Sequence, residues 1–173
     1  MAGIVRVASI EAIASALSAA GVRYLVAGGV AVSAHGYLRM TNDLDLVIHL
    51  DPDNLKRGWS ALEGLGYHPT IPVRIEEFAD PATREGWIRE KGMQVLGLWS
   101  DHHRETPIDL FVSEPFDFEP EYAAAHWEDL SPELRIPFVR LETLIRMKEE
   151  VGRPTDFEDA RQLRWILEDR ENE

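Results

Sequence analysis

The stretch Tyr24-Leu25-Val26-Ala27-Gly28-Gly29-Val30, with Arg39-Met40-Thr41-Asn42-Asp43-Leu44-Asp45-Leu46-Val47 downstream, decides the fold. Arg23 to Ala27 reads as a short apolar strand. Gly28-Gly29 breaks it, and Val30 to His35 reads as a helix. Leu44 to Leu50 is a second strand, with Asp43 and Asp45 at its mouth. Side chains alternate along a strand, so this pair shares one face while Leu44 and Leu46 turn into the core. Two carboxylates on one face repel each other, and a shared divalent cation resolves the conflict.

A third acid, Asp109, is embedded in the apolar run Pro107-Ile108-Asp109-Leu110-Phe111-Val112. A neighbouring strand would bring it beside the pair, and three carboxylates form an oxygen-rich site for Mg²⁺ or Mn²⁺. Such a site suits two-metal phosphoryl chemistry. The competing reading of Asp109 is a structural acid at a strand start, since Pro107 marks an edge. Gly28-Gly29 lets the backbone approach a phosphate, and the following helix offers free N–H groups. Taken alone, the glycine pair is a plain strand-to-helix turn; the downstream acids lift it above that.

Working outward, Ser9 caps a helix over about Ile10 to Ala20 that Gly21 ends. Asp51 caps another from Pro52 to near Gly64, carrying Leu55, Trp59 and Leu62 on one side. Tyr67 to Glu76 reads as one or two short strands, and Pro81 to Glu90 as a helix. Met93 to Trp99 and Ile108 to Val112 read as an antiparallel hairpin joined by Ser100 to Thr106. From Leu141 the spacing is helical, Gly152-Arg153-Pro154 interrupts it, and Thr155 caps a second helix. The elements predict an α/β (α+β) chain, a mixed twisted sheet flanked by helices with a C-terminal helical hairpin. The expected division is a core over residues 1–139 and a helical hairpin over 140–173 packed on it, as one structural domain.

The 173 residues carry a formal net charge of −13 and no cysteine. That excludes disulfides and cysteine-ligated zinc, and it disfavours broad electrostatic binding to nucleic acid. No apolar run approaches the ~20 residues that span a bilayer. Met1 to Ser9 lacks the pattern of a secretory signal, and a cytoplasmic location without membrane partners is the expectation. His35 follows a helix, where the C-terminal dipole favours a partly charged, structural imidazole. His102-His103 reads as an exposed loop rather than a transition-metal site. The five tryptophans read mostly as packing anchors, with Trp87 or Trp99 as the candidates for stacking on a base.

Gly28-Gly29 followed by Arg39-x-Thr41-x-Asp43-Leu44-Asp45 resembles the signature of the nucleotidyltransferase superfamily related to DNA polymerase β, and Asp109 matches its third carboxylate. The sequence looks closer to bacterial nucleotidyltransferases of the AbiEii toxin type, through Lys148 and Arg153-x-x-Asp156-x-x-Asp159. The likeness covers roughly Tyr24 to Leu163. It implies that Asp43 and Asp45 bind both metals, and that Asp109 binds the catalytic metal and acts as, or beside, the base. It also implies that Gly28 and Gly29 pack under the triphosphate and that Lys148 reaches phosphate or substrate. Asp156 or Asp159 would orient Lys148 or assist the base. Arg39 reads either as a phosphate ligand or as the ion-pair partner of an aspartate, and Thr41 either as part of the nucleotide site or as a turn residue.

The activity implied is metal-dependent transfer of a nucleotidyl group from a nucleoside triphosphate to an acceptor hydroxyl, with pyrophosphate released. The acceptors in view are transfer RNA, a protein hydroxyl or a small molecule. A basic groove of Arg23, Arg39, Lys148 and Arg153 would serve RNA, whereas an acidic cleft with Glu76, Glu77, Asp80 and Glu85 would draw a cationic antibiotic. A third reading is a catalytically weak component of a toxin–antitoxin pair that acts through an antitoxin-type protein partner.

Overall fold

The computed structural model describes residues 4–173. Met1 to Gly3, part of the stretch read for a signal, lie outside the described residues. Ile10, Ile13, Ala14 and Leu17 repeat at helical spacing and form α1, Val7–Ala19, with Ile13, Ala14 and Leu17 buried. The helix starts earlier than expected: Arg6 precedes it, and Ser9 sits inside it with its Oγ 2.9 Å from His103 Nδ1. The chain then runs through β1 (Tyr24–Ala27), α2 (Gly28–Ala34), β2 (Leu44–Ile48), α3 (Pro52–Gly64) and β3 (Tyr67–Pro69). Next come α4 (Ile75–Ala79), α5 (Pro81–Lys91), β4 (Val95–Ser100), a 3₁₀ turn at Asp101–His103 and β5 (Ile108–Phe111). The last part holds α6 (Phe118–Ala123), β6 (His126–Ser131), β7 (Leu134–Phe138), α7 (Leu141–Val151) and α8 (Pro154–Glu171).

The seven strands form one mixed sheet in the order β3-β4-β5-β2-β1-β7-β6. β2 pairs parallel with β5 and antiparallel with β1, while β1 pairs parallel with β7. β4 and β5 form the expected antiparallel hairpin. All four residues of β1 are buried, as befits a central strand. Leu44, Leu46 and Ile48 face α3, where Gly58 lets the helix settle against Ile48 and Val22. Burying one Leu contributes about 2 kcal/mol, so this layer outweighs the cost of the acids held on the opposite face.

Three expectations need correction. Tyr67 to Glu76 holds one three-residue strand, after which the chain turns at Pro72 and enters α4. The α8 helix begins at Pro154, ahead of Thr155, and Asp156 Oδ2 accepts from the Arg153 backbone N–H at 3.2 Å. The segment between Val112 and Leu141, in which no element was expected, supplies α6 and the β6–β7 hairpin. Trp165 is 54% exposed and anchors no core, while Trp59 packs on Phe78 inside it. Among the described residues, no helix is long and apolar enough to cross a membrane.

Candidate active site

β2 and β5 lie in parallel register with Asp45 opposite Asp109, and β1 sets Ala27 opposite Asp45 from the other side. The two acids therefore stand side by side on one face, a strand spacing apart. Asp43 lies one residue before the strand, in the bend that leads into Leu44, at the mouth where the sequence placed it. It still joins the pair: one carboxylate oxygen from each of Asp43, Asp45 and Asp109 falls within 4.8 Å of the others. All three are half-buried. Among the described residues, none of the three side chains accepts a hydrogen bond or closes an ion pair.

Burial, then the charges of Asp43 and Asp109, push the Asp45 carboxyl up to about 7, with Lys148 and Arg153 pulling weakly the other way. Burial and the Asp43 charge also push Asp109 above the usual carboxylate range. Three converging oxygens with no proton donor of their own are a poor resting arrangement for carboxylates alone. They are a good donor set for a hard divalent cation such as Mg²⁺ or Mn²⁺. The residues present thus fit the metal that the fold implies.

Gly28 begins α2 directly against this cluster. Its φ is +64°, and a Cβ there would stand 1.8 Å from Asp45 Oδ2. At Gly29 a Cβ would meet Thr41 Oγ1 at 2.6 Å and Arg39 Nη2 at 3.1 Å. The glycine pair is therefore where the β1–α2 turn, the acids and the Arg39–Thr41 loop come together. Gly28→Ala adds left-handed strain to a clash and is expected to cost about 2–4 kcal/mol and to displace Asp45. A guanidinium chloride melt checks the first effect and the loss of metal response checks the second; a wild-type midpoint would contradict the packing described.

Lys148 does not project into open space. It is buried between Asp156 (3.3 Å) and Asp159 (3.0 Å), both of them buried. Asp159 Oδ2 also accepts from Arg39 Nη2 at 2.8 Å, and Asp156 Oδ2 accepts from Arg153 Nε at 2.6 Å. Burial alone would raise Asp156, but the Arg153 hydrogen bond and the charges of Lys148 and Arg153 hold it below the usual carboxylate range. This clasp ties α7 and α8 to the loop that carries Thr41, whose Oγ1 donates to the Asp43 carbonyl at 3.3 Å. Of the two readings of Arg39, the ion pair with an aspartate is the one present, although its Nε is buried without a partner among the described residues.

Other expected residues lie elsewhere. Arg23 pairs with Glu119 at 2.5 Å at the far end of β1 from Gly28, so it forms no groove with Arg39, Lys148 and Arg153. Glu76 and Glu77 are on α4, Glu85 is on α5 and Asp80 joins the two; α4 packs on α3 and α5 on α4. Two of them serve local caps: Glu77 accepts from Arg74 N and Asp80 from Thr83 N. His35 is structural, and against the expected gain of charge burial lowers its pKa; its Nε2 lies 2.8 Å from the Val139 carbonyl oxygen. His103 stacks on Tyr67, and both His102 and His103 line a surface groove with Arg6, Ser9 and Arg104.

No family model and no curated protein matches the chain. Its backbone, however, superposes on solved structures. The lincosamide antibiotic adenylyltransferase LnuA, bound to lincomycin, aligns with a TM-score of 0.59 at 15% identity, over 95% of this chain and 99% of that one. The chain has the nucleotidyltransferase fold. A solution structure of the antibiotic-resistance factor ANT(2'')-Ia aligns at 0.56 with 17% identity, over 93% of this chain and 83% of that one. ANT(2'')-Ia in complex with adenylyl-2''-tobramycin aligns at 0.54 with 14% identity, over 93% and 88%. The nucleotidyltransferase fold thus expected from Gly28-Gly29, Asp43-x-Asp45 and Asp109 is the fold observed. Closeness to the AbiEii toxin type rests on the motif alone.

Proposed function

We propose that this protein transfers a nucleotidyl group from a nucleoside triphosphate to a hydroxyl of a small-molecule acceptor, releasing pyrophosphate. The observation that carries the reading is the meeting of Asp43, Asp45 and Asp109 against Gly28 on this fold. Mg²⁺ or Mn²⁺, when bound, supplies charge for the triphosphate and acidifies the attacking hydroxyl. Asp43 and Asp45 hold the cations. Asp109, held above the usual carboxylate range by burial and the Asp43 charge, takes the acceptor proton as its oxygen bonds to the α-phosphorus and the bond to the β-phosphate oxygen breaks. Gly28 and Gly29 leave room for the triphosphate beside the acids, and Arg39, which packs beside Gly29 and pairs with Asp159, braces the loop that carries Thr41. Thr41 fixes the backbone at Asp43, while Lys148, held by Asp156 and Asp159, positions α8 beside the cluster.

Two observations favour a small molecule over transfer RNA. The formal charge is −13, and the basic groove that RNA needs is not assembled, because Arg23 points elsewhere and Lys148 is spent on two aspartates. Lincomycin and adenylyl-2''-tobramycin, bound in the neighbouring folds, are small hydroxylated compounds. The toxin–antitoxin reading has only the motif behind it. The test is to incubate the protein with Mg²⁺, each α-labelled nucleoside triphosphate and an acceptor panel that includes lincomycin, tobramycin and transfer RNA. Labelled small molecule with matching pyrophosphate is expected, lost in Asp109→Asn. Label appearing only on RNA or protein would overturn the acceptor class, and no pyrophosphate with any pair would overturn the activity.

A further inference from the structure

The face that carries Asp109 is partly exposed beyond the carboxylates. Along β4, Leu96, Leu98 and Ser100 are buried, while the alternating Val95, Gly97 and Trp99 stay partly exposed. On β5 the same alternation buries Ile108 and Leu110 and leaves Asp109 and Phe111 partly exposed. Gly97 is the register partner of Asp109, so the two are neighbours on this face. A Cβ at position 97 would stand 3.8 Å from Asp109 Oδ1 and 3.1 Å from Thr70 Oγ1. The absent side chain leaves a slot between the Thr70 hydroxyl and the Asp109 carboxylate. Trp99 bounds the slot on one side, edge-on to its cross-strand partner His68 at 6.4 Å. Val95 and Phe111, paired across the same two strands, bound it on the other.

We propose that this strip is the acceptor subsite, with Gly97 as the position that decides which acceptors fit. The occupant is a neutral, ring-bearing small molecule that lays an apolar face on Trp99 and brings a hydroxyl past Gly97 to Asp109. The strip is continuous with the carboxylate cluster, so a hydroxyl at Asp109 is one strand spacing from the slot. Apart from Asp109, the residues that form its walls among the described residues, Thr70, Val95, Trp99 and Phe111, are uncharged. These uncharged walls give a polycation no counter-charge beyond the carboxylate cluster, which a bound divalent cation would occupy, and they give a polynucleotide no cation for its phosphates. The role in transfer rests on the function proposed above; binding to the strip does not.

The test uses the full chain and NMR. Phenyl β-D-glucoside serves as the neutral ring-bearing alcohol, tobramycin as the polycation and a single-stranded RNA trinucleotide as the polyanion. The glucoside is expected to shift the Gly97 amide and the Trp99 indole N–H. Gly97→Val, a change to a strand-compatible side chain, and Trp99→Ala are each expected to weaken it about tenfold, the size of one lost aromatic or apolar contact. Shifts of Gly28 and Gly29 caused by Mg²⁺ with whichever of the four nucleoside triphosphates binds wild type should survive in both variants and certify the fold. Glucoside binding without any wild-type response to Mg²⁺ with any of the four nucleoside triphosphates would uphold the subsite and contradict nucleotidyl transfer. Failure of the glucoside to shift the strip, wild-type affinity in both variants, or stronger shifts from tobramycin or the trinucleotide would overturn the proposal.

Discussion

Asp45→Asn is expected to abolish transfer while making the metal-free protein more stable. Losing a carboxylate that holds the cation should cost at least about 10³-fold in kcat, the scale of removing one preorganised electrostatic group from a reaction centre. The stability effect has the opposite sign. Asp45 carries a pKa of about 7 in the folded chain, against about 4 unfolded. Between those values the folded protein keeps a proton that the unfolded chain has released. Metal-free stability therefore falls as pH rises from about 4 to about 7, and is level above that. Three units set a ceiling near 4 kcal/mol, and partial exposure of the carboxyl brings the expected loss to about 2 kcal/mol. An asparagine has no charge to bury. Its variant should lack the slope and be about 1–2 kcal/mol more stable than wild type at pH 8 without metal. Thermal melts in chelator from pH 5 to 8 check both points. A wild-type protein whose stability rises over that range would show that Asp45 is not crowded by its two neighbours.

The second large effect concerns the clasp. Lys148→Met leaves Asp156 and Asp159 buried beside an apolar side chain. Breaking a buried ion pair from one side typically costs about 3–5 kcal/mol. Here Arg153 still holds Asp156 and Arg39 still holds Asp159, so the expected loss is about 2–4 kcal/mol. The triple change Lys148→Met, Asp156→Leu, Asp159→Leu removes the buried carboxylates but leaves Arg39 unpaired, while Arg153 can turn to solvent, so it should recover only part of the loss. Urea melts of the two variants decide the matter. Equal destabilisation would mean that packing, rather than charge, makes the joint between α7 and α8.

The clasp also shows how far the sequence could be read. Lys148, Asp156 and Asp159 were singled out only through a resemblance; nothing in Arg146-Met147-Lys148-Glu149-Glu150 distinguishes one cation from a solvated helix face. The carboxylate pair was legible because strand alternation is a local rule, and Leu44 and Leu46 are buried as it requires. The register that sets Asp109 opposite Asp45 was not, because β2 and β5 are joined only through three helices and two other strands. The β6 strand gave no signal: His126-Trp127-Glu128-Asp129-Leu130-Ser131 is an edge strand without alternating burial. Of the one or two strands read in Tyr67 to Glu76, Tyr67–Pro69 forms, and no second one follows because the chain turns at Pro72 and the Arg74 N–H bonded to Glu77 starts a helix. Gly97 carries no pattern at all; its meaning comes from the Asp109 across the ladder.

The central claim is that Asp43, Asp45 and Asp109 hold a divalent cation with a nucleoside triphosphate. The most direct measurement titrates Mg²⁺ and Mn²⁺ with each of the four nucleoside triphosphates while following the melting temperature of wild type and of Asp43→Asn/Asp45→Asn. A nucleotide at a hundred times its dissociation constant stabilises by about 2.7 kcal/mol, a shift of several degrees in a domain of this size. The account predicts such a shift for wild type only when metal and nucleotide are both present, and none for the double variant. A shift of equal size in the double variant, or none in wild type with any of the four nucleotides, would contradict it.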